Sequence, residues 1–67
     1  MTKPAKKWRV GETGSSDVDS APPYTSQNKA YEAVRAFTDD GVPATIWHYE
    51  GGRWWLYERI GADGEAE

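Results

Sequence analysis

The side chains with chemical potential in this chain are few: one histidine, His48, the serines Ser15, Ser16, Ser20 and Ser26, and the loop carboxylates Asp17 and Asp19, with no cysteine. Nucleophilic catalysis needs a nucleophile, a base and a group that orients the base. The serines fall in a loop or at the start of an expected helix, and His48 sits in a β-prone stretch among aromatic rings, where stacking explains it. The segment GETGSS, residues 11–16, has two glycines but no lysine after the second, so it lacks the cation that a phosphate loop requires. Asp17, Asp19 and Ser20 offer oxygen atoms, yet an EF-hand-like loop needs more ligands and a terminal glutamate. The expectation is a protein that is not an enzyme and has neither metal nor cofactor.

What the chain does have is binding chemistry. The run TIWHYEGGRWWLYERI, Thr45 to Ile60, gathers Trp47, Tyr49, Trp54, Trp55 and Tyr57 with Arg53 and Arg59. Trp, Tyr and Arg are the types most enriched at interface hot spots. Aromatic rings beside cations also stack bases and meet phosphates in single-strand nucleic-acid binders.

These residues need elements to hold them. Gly51-Gly52 between two β-prone stretches predicts a hairpin with strands over residues 44–50 and 53–60, its turn at positive φ. Residues 27–39 predict a helix, with Ser26 as N-cap, Ala30, Tyr31, Val34 and Phe37 as its apolar stripe, and Gly41 and Pro43 ending it. KKWRV, residues 6–10, alternates as a half-buried strand with Trp8 and Val10 on one side and Lys7 and Arg9 on the other. The expected fold class is α+β: a small β-α-β-β domain, residues 6–60, in which one helix covers one face of a three-stranded antiparallel sheet. Residues 1–5 are expected to form a disordered arm, 11–25 a long flexible loop, and 61–67 a disordered acidic tail.

A two-residue turn pairs Glu50 with Arg53, Tyr49 with Trp54, His48 with Trp55, Trp47 with Leu56 and Ile46 with Tyr57. One face then collects Trp47, Trp54, Leu56 and Ile60, which is the expected core against Val34 and Phe37. The other collects Trp55 and Tyr57 ringed by His48, Arg53, Arg59, Arg9 and Lys7, whose charges call for water or a partner. Those seven residues are the candidate binding site, and the assignment depends on a loop of even length, since a three-residue loop with its bulge would shift one strand against the other.

Charge and length limit what can bind there. Eleven Asp+Glu against eight Lys+Arg give a net charge of −3, which disfavours nucleic acid. The surplus, however, sits in Asp63, Glu65 and Glu67, and the body is neutral. No apolar stretch approaches a membrane span, and MTKPAKKW lacks the apolar region of a signal peptide, so a cytoplasmic protein without membrane contact is expected. The function expected is a small interaction module that uses an aromatic and arginine-bearing sheet face for protein binding or self-association, of a size that suits an accessory protein of a phage or mobile element. The alternative is a nucleic-acid-binding module that stacks bases on Trp55 and Tyr57.

Overall fold

The computed structural model describes residues 6–14 and 17–66. The five positions of the expected N-terminal arm lie outside them. The elements are β1 (Trp8–Glu12), β2 (Pro23–Tyr24), α1 (Gln27–Thr38), β3 (Ala44–Glu50) and β4 (Arg53–Ile60). The fold is α+β, as the hydrophobic patterning predicts, but the sheet has four strands rather than three, in the order β2-β1-β3-β4 and antiparallel throughout. The added strand is the two-residue β2, in which Tyr24 pairs with Trp8 and Pro23 with Arg9. A strand this short has no period to read, and Pro23 is tolerated because β2 is an edge.

The helix forms for the reasons its sequence suggests. The Ser26 side chain accepts the Lys29 N–H at 3.2 Å, and Gly41 at φ 75° turns the chain away. The Gly41 and Val42 N–H groups return to the carbonyls of Thr38 and Phe37. Ala30 and Val34 are its buried residues, with Tyr31, Ala33 and Phe37 partly buried around them.

The hairpin also starts as expected. Gly51 and Gly52 take φ 62° and 86°, a left-handed pair that matches the twist of the strands they join. The pairs Glu50–Arg53, Tyr49–Trp54, His48–Trp55 and Trp47–Leu56 are all formed. The expected pair of Ile46 with Tyr57 is not. A bulge makes Tyr57 an extra residue, and Ile46 pairs with Glu58, Thr45 with Arg59 and Ala44 with Ile60.

The core lies on the side opposite to the one expected. Val10, Ala30, Val34, Ala44, Ile46 and Ile60 form it, so the helix packs on the face that carries Ala44 and Ile46, and Trp47, Trp54 and Leu56 are on the open face. Leu56 is 53% exposed. Two features let this face be buried without trapping an arginine. The bulge changes the alternation of β4, turning Ile60 inward and Arg59 outward. The helix, moreover, stops short of Arg53: Gln27, its first residue, reaches Tyr57, Tyr31 reaches Glu58, and Val34 and Arg35 lie near Ile60. The tip of the hairpin therefore projects beyond the N-terminal end of α1.

The connection between β1 and β2 crosses the edge of the open face. Thr13 N–H bonds to the Pro43 carbonyl and the Thr13 hydroxyl to that of Thr45 at 2.7 Å, which satisfies a threonine that is nearly fully buried. A turn closed by Asp17 and Ser20 places Ala21 in a buried position. Residues 61–66 turn back on β4: Gly61 N–H bonds to the Glu65 carbonyl, and Ala66 bridges to Ile60.

Candidate functional site

The seven candidate residues do not share one face. Trp55, Tyr57, His48 and Arg53 lie on the helix side of the sheet, past the start of α1. Arg9, Lys7 and Arg59 belong to the open side. The face inversion and the bulge together divide them, because Arg59 would have stayed with Trp55 had alternation continued.

On the helix side the aromatics form a connected group. The Trp8 ring lies 4.2 Å from that of His48 and 4.9 Å, edge to face, from that of Tyr57. Tyr57 uses its bulge position to reach back toward the helix, where Gln27 Nε2 donates to its hydroxyl at 3.0 Å. Next to it toward the tip, Trp55 donates its indole N–H to the Glu50 carbonyl at 3.1 Å, and the Arg53 guanidinium covers one of its faces at 4.6 Å. Trp55 and Tyr57 still expose 51% and 47% of their surface. His48 lies 4.0 Å from the Glu50 carboxylate, an ion pair only when the imidazole is protonated.

On the open side the rows run across the strands. Pro23, Arg9, Trp47 and Leu56 form one row, and Tyr49 and Trp54 form the next, with Lys7 beside them because its carbonyl accepts the Tyr49 N–H at 2.8 Å. Gly11, Thr45 and Arg59 form a third. Arg9 stands near the centre, its guanidinium 4.8 Å above the Trp54 ring and its Nη1 donating to the Val18 carbonyl at 2.6 Å. Its Nε is buried without a partner. Trp54 and Tyr49 meet edge to face at 5.2 Å. The sheet residues of this face bring three cations and no carboxylate, whereas Glu12, Glu50 and Glu58 all point to the helix side.

Among the described residues the exposed large hydrophobic ones are Tyr49, Trp55, Leu56 and Tyr57. All four belong to the distal part of the β3–β4 hairpin. Two project from each side of it, so the tip is apolar on both surfaces.

Sequence reasoning missed two participants. Glu58 lies on the helix side beside Ile46 and accepts the Tyr31 hydroxyl in a short hydrogen bond under the hairpin. That bond, with burial and the negative charge of Glu58, pushes the Tyr31 hydroxyl up to about 12. Gln27, the residue that anchors Tyr57, was read only as helix; no sequence signal reports a contact across 30 positions.

The remaining chemistry is sparse. Among the described residues no group of three or more His, Cys, Asp or Glu comes together as a metal site, and no helix is long and apolar enough to cross a membrane. An open depression of 670 Å³ between α1 and the 61–64 turn is lined by Tyr31, Arg35, Thr38, Asp39, Ile60 and Asp63 among others, and contains none of the candidate residues. Asp17 is held below the usual carboxylate range, first by the Ser20 N–H and then by the Ser20 hydroxyl, which is what an exposed turn residue does when it closes its own loop. No protein-family model, curated protein or solved structure matches this chain.

Proposed function

We propose that this chain is a small non-enzymatic protein-interaction module whose working part is the projecting β3–β4 hairpin. One observation carries this: among the described residues every exposed large hydrophobic one, Tyr49, Trp55, Leu56 and Tyr57, lies in that nine-residue segment, and they occupy both of its surfaces. A partner that encloses the tip buries all four, and Arg53, stacked on Trp55, supplies a cation already held in place. Apolar surface concentrated in this way is the mark of an interface rather than of scattered exposure. Trp and Arg in the centre of such a patch are the types that carry binding energy.

The test is differential capture from an extract of the source cell. Trp55→Ala and Tyr49→Ala should each lose a bound protein that the wild-type chain and a Glu32→Ala control both retain, while circular dichroism shows all four folded. Identical capture by every variant would remove the hairpin from the interface.

A second reading rests on the open side, where Lys7, Arg9 and Arg59 accompany Trp47, Tyr49 and Trp54 without a carboxylate. This is the charge pattern that a single-stranded nucleic acid would meet. It predicts quenching of tryptophan fluorescence by an oligonucleotide, weakening steeply with added salt. Loss of that quenching in Arg9→Ala and Arg59→Ala but not in Trp55→Ala would favour it over the hairpin. Absence of quenching at low salt would exclude it.

A further inference from the structure

We infer that β4 is a self-pairing edge, and that two copies of this chain associate by antiparallel β4–β4 pairing centred on Trp55. The inference rests on the reading that the hairpin is the interacting element, and it names the partner. β4 is the last strand of the sheet, with β3 on one side only. Among the described residues its free side is met only at Ile60, by the bridge from Ala66. No strand among the described residues pairs with the half from Arg53 to Tyr57 on that side. Natural sheets protect such edges with charges, proline, bulges or short length. Here the protection is limited to Arg53 beside the turn and the bulge at Tyr57, and the half holds Trp55, Leu56 and Tyr57, three of the four exposed large hydrophobic residues among those described.

The hydrogen-bonding direction follows from the turn. In a two-residue hairpin the pair next to the turn, Glu50–Arg53, is hydrogen-bonded, and the pairs then alternate. Tyr49 confirms the alternation, because its N–H goes to the carbonyl of Lys7, just before β1, and not to Trp54. Trp54 and Leu56 therefore point their N–H and C=O groups to the free side of β4, and Arg53 and Trp55 point theirs to β3.

Only a few self-pairings keep side chains on matching faces. With Trp55 on the two-fold axis, Trp54 bonds with Leu56 of the second copy and Leu56 with Trp54. Trp55 faces Trp55 in a non-hydrogen-bonded pair, and Arg53 faces Tyr57. A cation thus meets an aromatic ring, no like charges oppose one another, and the three exposed apolar residues of the edge are all covered. Moving the axis to Leu56 sets Trp55 of one copy against Tyr57, the bulge residue of the other, and the Trp54 rung against Glu58 beyond it, where alternation has failed. Moving it to Trp54 sets Leu56 against Gly52 and leaves Tyr57 without a partner. The bulge and the Ala66 bridge therefore act as stops that fix the register. The chosen pairing also places the bulge outside the two bonded rungs.

Face-to-face association through the open side lacks this fit, since it would oppose Lys7, Arg9 and Arg59 with the same cations. An edge contact of this length is small, and interfaces below about 1,200 Å² belong to weak complexes.

The experiment uses the full chain, which has no cysteine of its own. Sedimentation equilibrium from about 5 to about 500 µM should show a reversible monomer–dimer equilibrium, as expected of a small interface. Single Cys variants then read the register. Partners in a non-hydrogen-bonded antiparallel pair lie about 4.5 Å apart at Cα, and a disulfide spans about 4.4–6.8 Å. Trp55→Cys should therefore cross-link under mild oxidation at least about tenfold faster than Trp54→Cys or Arg53→Cys. Trp55→Lys, which sets two charges on the axis, should sediment as a monomer with an unchanged circular dichroism spectrum.

A wild-type chain that stays monomeric throughout the range overturns the inference. So does a dimer whose fastest cross-link is at Trp54 or Arg53, or one that Trp55→Lys leaves intact. A monomeric chain whose capture of another protein still depends on Trp55 and Tyr49 would overturn self-pairing while leaving the interaction module standing.

Discussion

Which face of the hairpin is buried can be decided by two substitutions on opposite faces of it, Ile46→Ala in β3 and Leu56→Ala in β4. Ile46 has no exposed surface and touches the centre of the core, whereas Leu56 is 53% exposed on the open face. A buried Ile→Ala change removes both transfer energy and packing and costs about 2–5 kcal/mol. Fully burying a leucine is worth about 1.5–3 kcal/mol, so a half-buried one losing most of its side chain should cost about 0.5–1 kcal/mol. A chain of this length has a total stability of about 3–10 kcal/mol, so Ile46→Ala takes a large share of it. Ile46→Val, at about 0.5–1.5 kcal/mol, serves as the milder member of the series if the alanine variant does not fold. Urea denaturation followed by tryptophan fluorescence gives the numbers, with a slope of about 1 kcal/mol/M expected for so small a domain. The midpoint should fall by about 2 M or more for Ile46→Ala and by less than about 1 M for Leu56→Ala, at unchanged slope. Measurements belong at low micromolar protein, so that pairing of β4 edges does not add a concentration-dependent term to Leu56. If Leu56→Ala costs as much as Ile46→Ala, the core is on the other face and the helix placement fails with it.

Tyr31→Phe should destabilise the chain by about 1–2 kcal/mol, because it removes a hydrogen bond to a carboxylate. Its pH signature is distinctive: the hydroxyl is raised to about 12 in the folded chain from a usual value of 10.0. The unfolded chain therefore releases this proton first, and the stabilisation is intact below pH 10 and is lost as pH rises through 12. Absorbance at about 295 nm should show a late tyrosinate step that Tyr31→Phe abolishes. Gly52→Ala, placing a Cβ at φ 86°, should cost about 1–2 kcal/mol and show it in the same urea titration. Arg9→Ala should free the 17–21 turn without unfolding the sheet, read as faster hydrogen exchange at Ala21, whose N–H bonds to the Asp17 carbonyl; unchanged exchange would mean that Arg9 does not hold the turn. Ser20→Ala should raise the Asp17 carboxyl toward 3.8 in an NMR titration, since the hydroxyl is one of the groups that lower it.

Local features of this fold were legible in the sequence wherever a single residue type has one physical use. Ser26 caps the helix, Gly41 ends it, Gly51-Gly52 makes the turn, and the first four cross-strand pairs follow from that turn alone. The face of the sheet was not legible, because it depends on where alternation breaks. Parity places Ile60 with Leu56 and Trp54, the larger side chains, and so suggests an aromatic core. The structure builds its core from Val10, Ala30, Val34, Ala44, Ile46 and Ile60 instead. That requires one extra residue in β4, and Tyr57 supplies it. A bulge has no composition of its own when the extra residue is a good strand former. Its cause is visible only in three dimensions: Gln27 and Trp8 hold Tyr57 on the helix side, and Tyr31 draws Glu58 in behind it.

The same bulge explains why the candidate site divided as it did. Charge aversion assigned both Arg53 and Arg59 to a single wet face, but each avoids burial by a separate route. Arg53 lies past the end of the helix, and Arg59 is turned over by the bulge. Counting aromatics located the segment that carries the exposed rings but not its geometry, since they form not a plaque on one face but a projecting tip with two apolar surfaces and a free edge. That difference changes what a partner must do. A plaque is covered by something laid across it, whereas this tip must be enclosed or extended along its edge. If the tip is the interface, Trp55→Ala and Tyr49→Ala, which lie on opposite surfaces of it, should each weaken partner capture; an effect confined to one of them would return the binding surface to a single face.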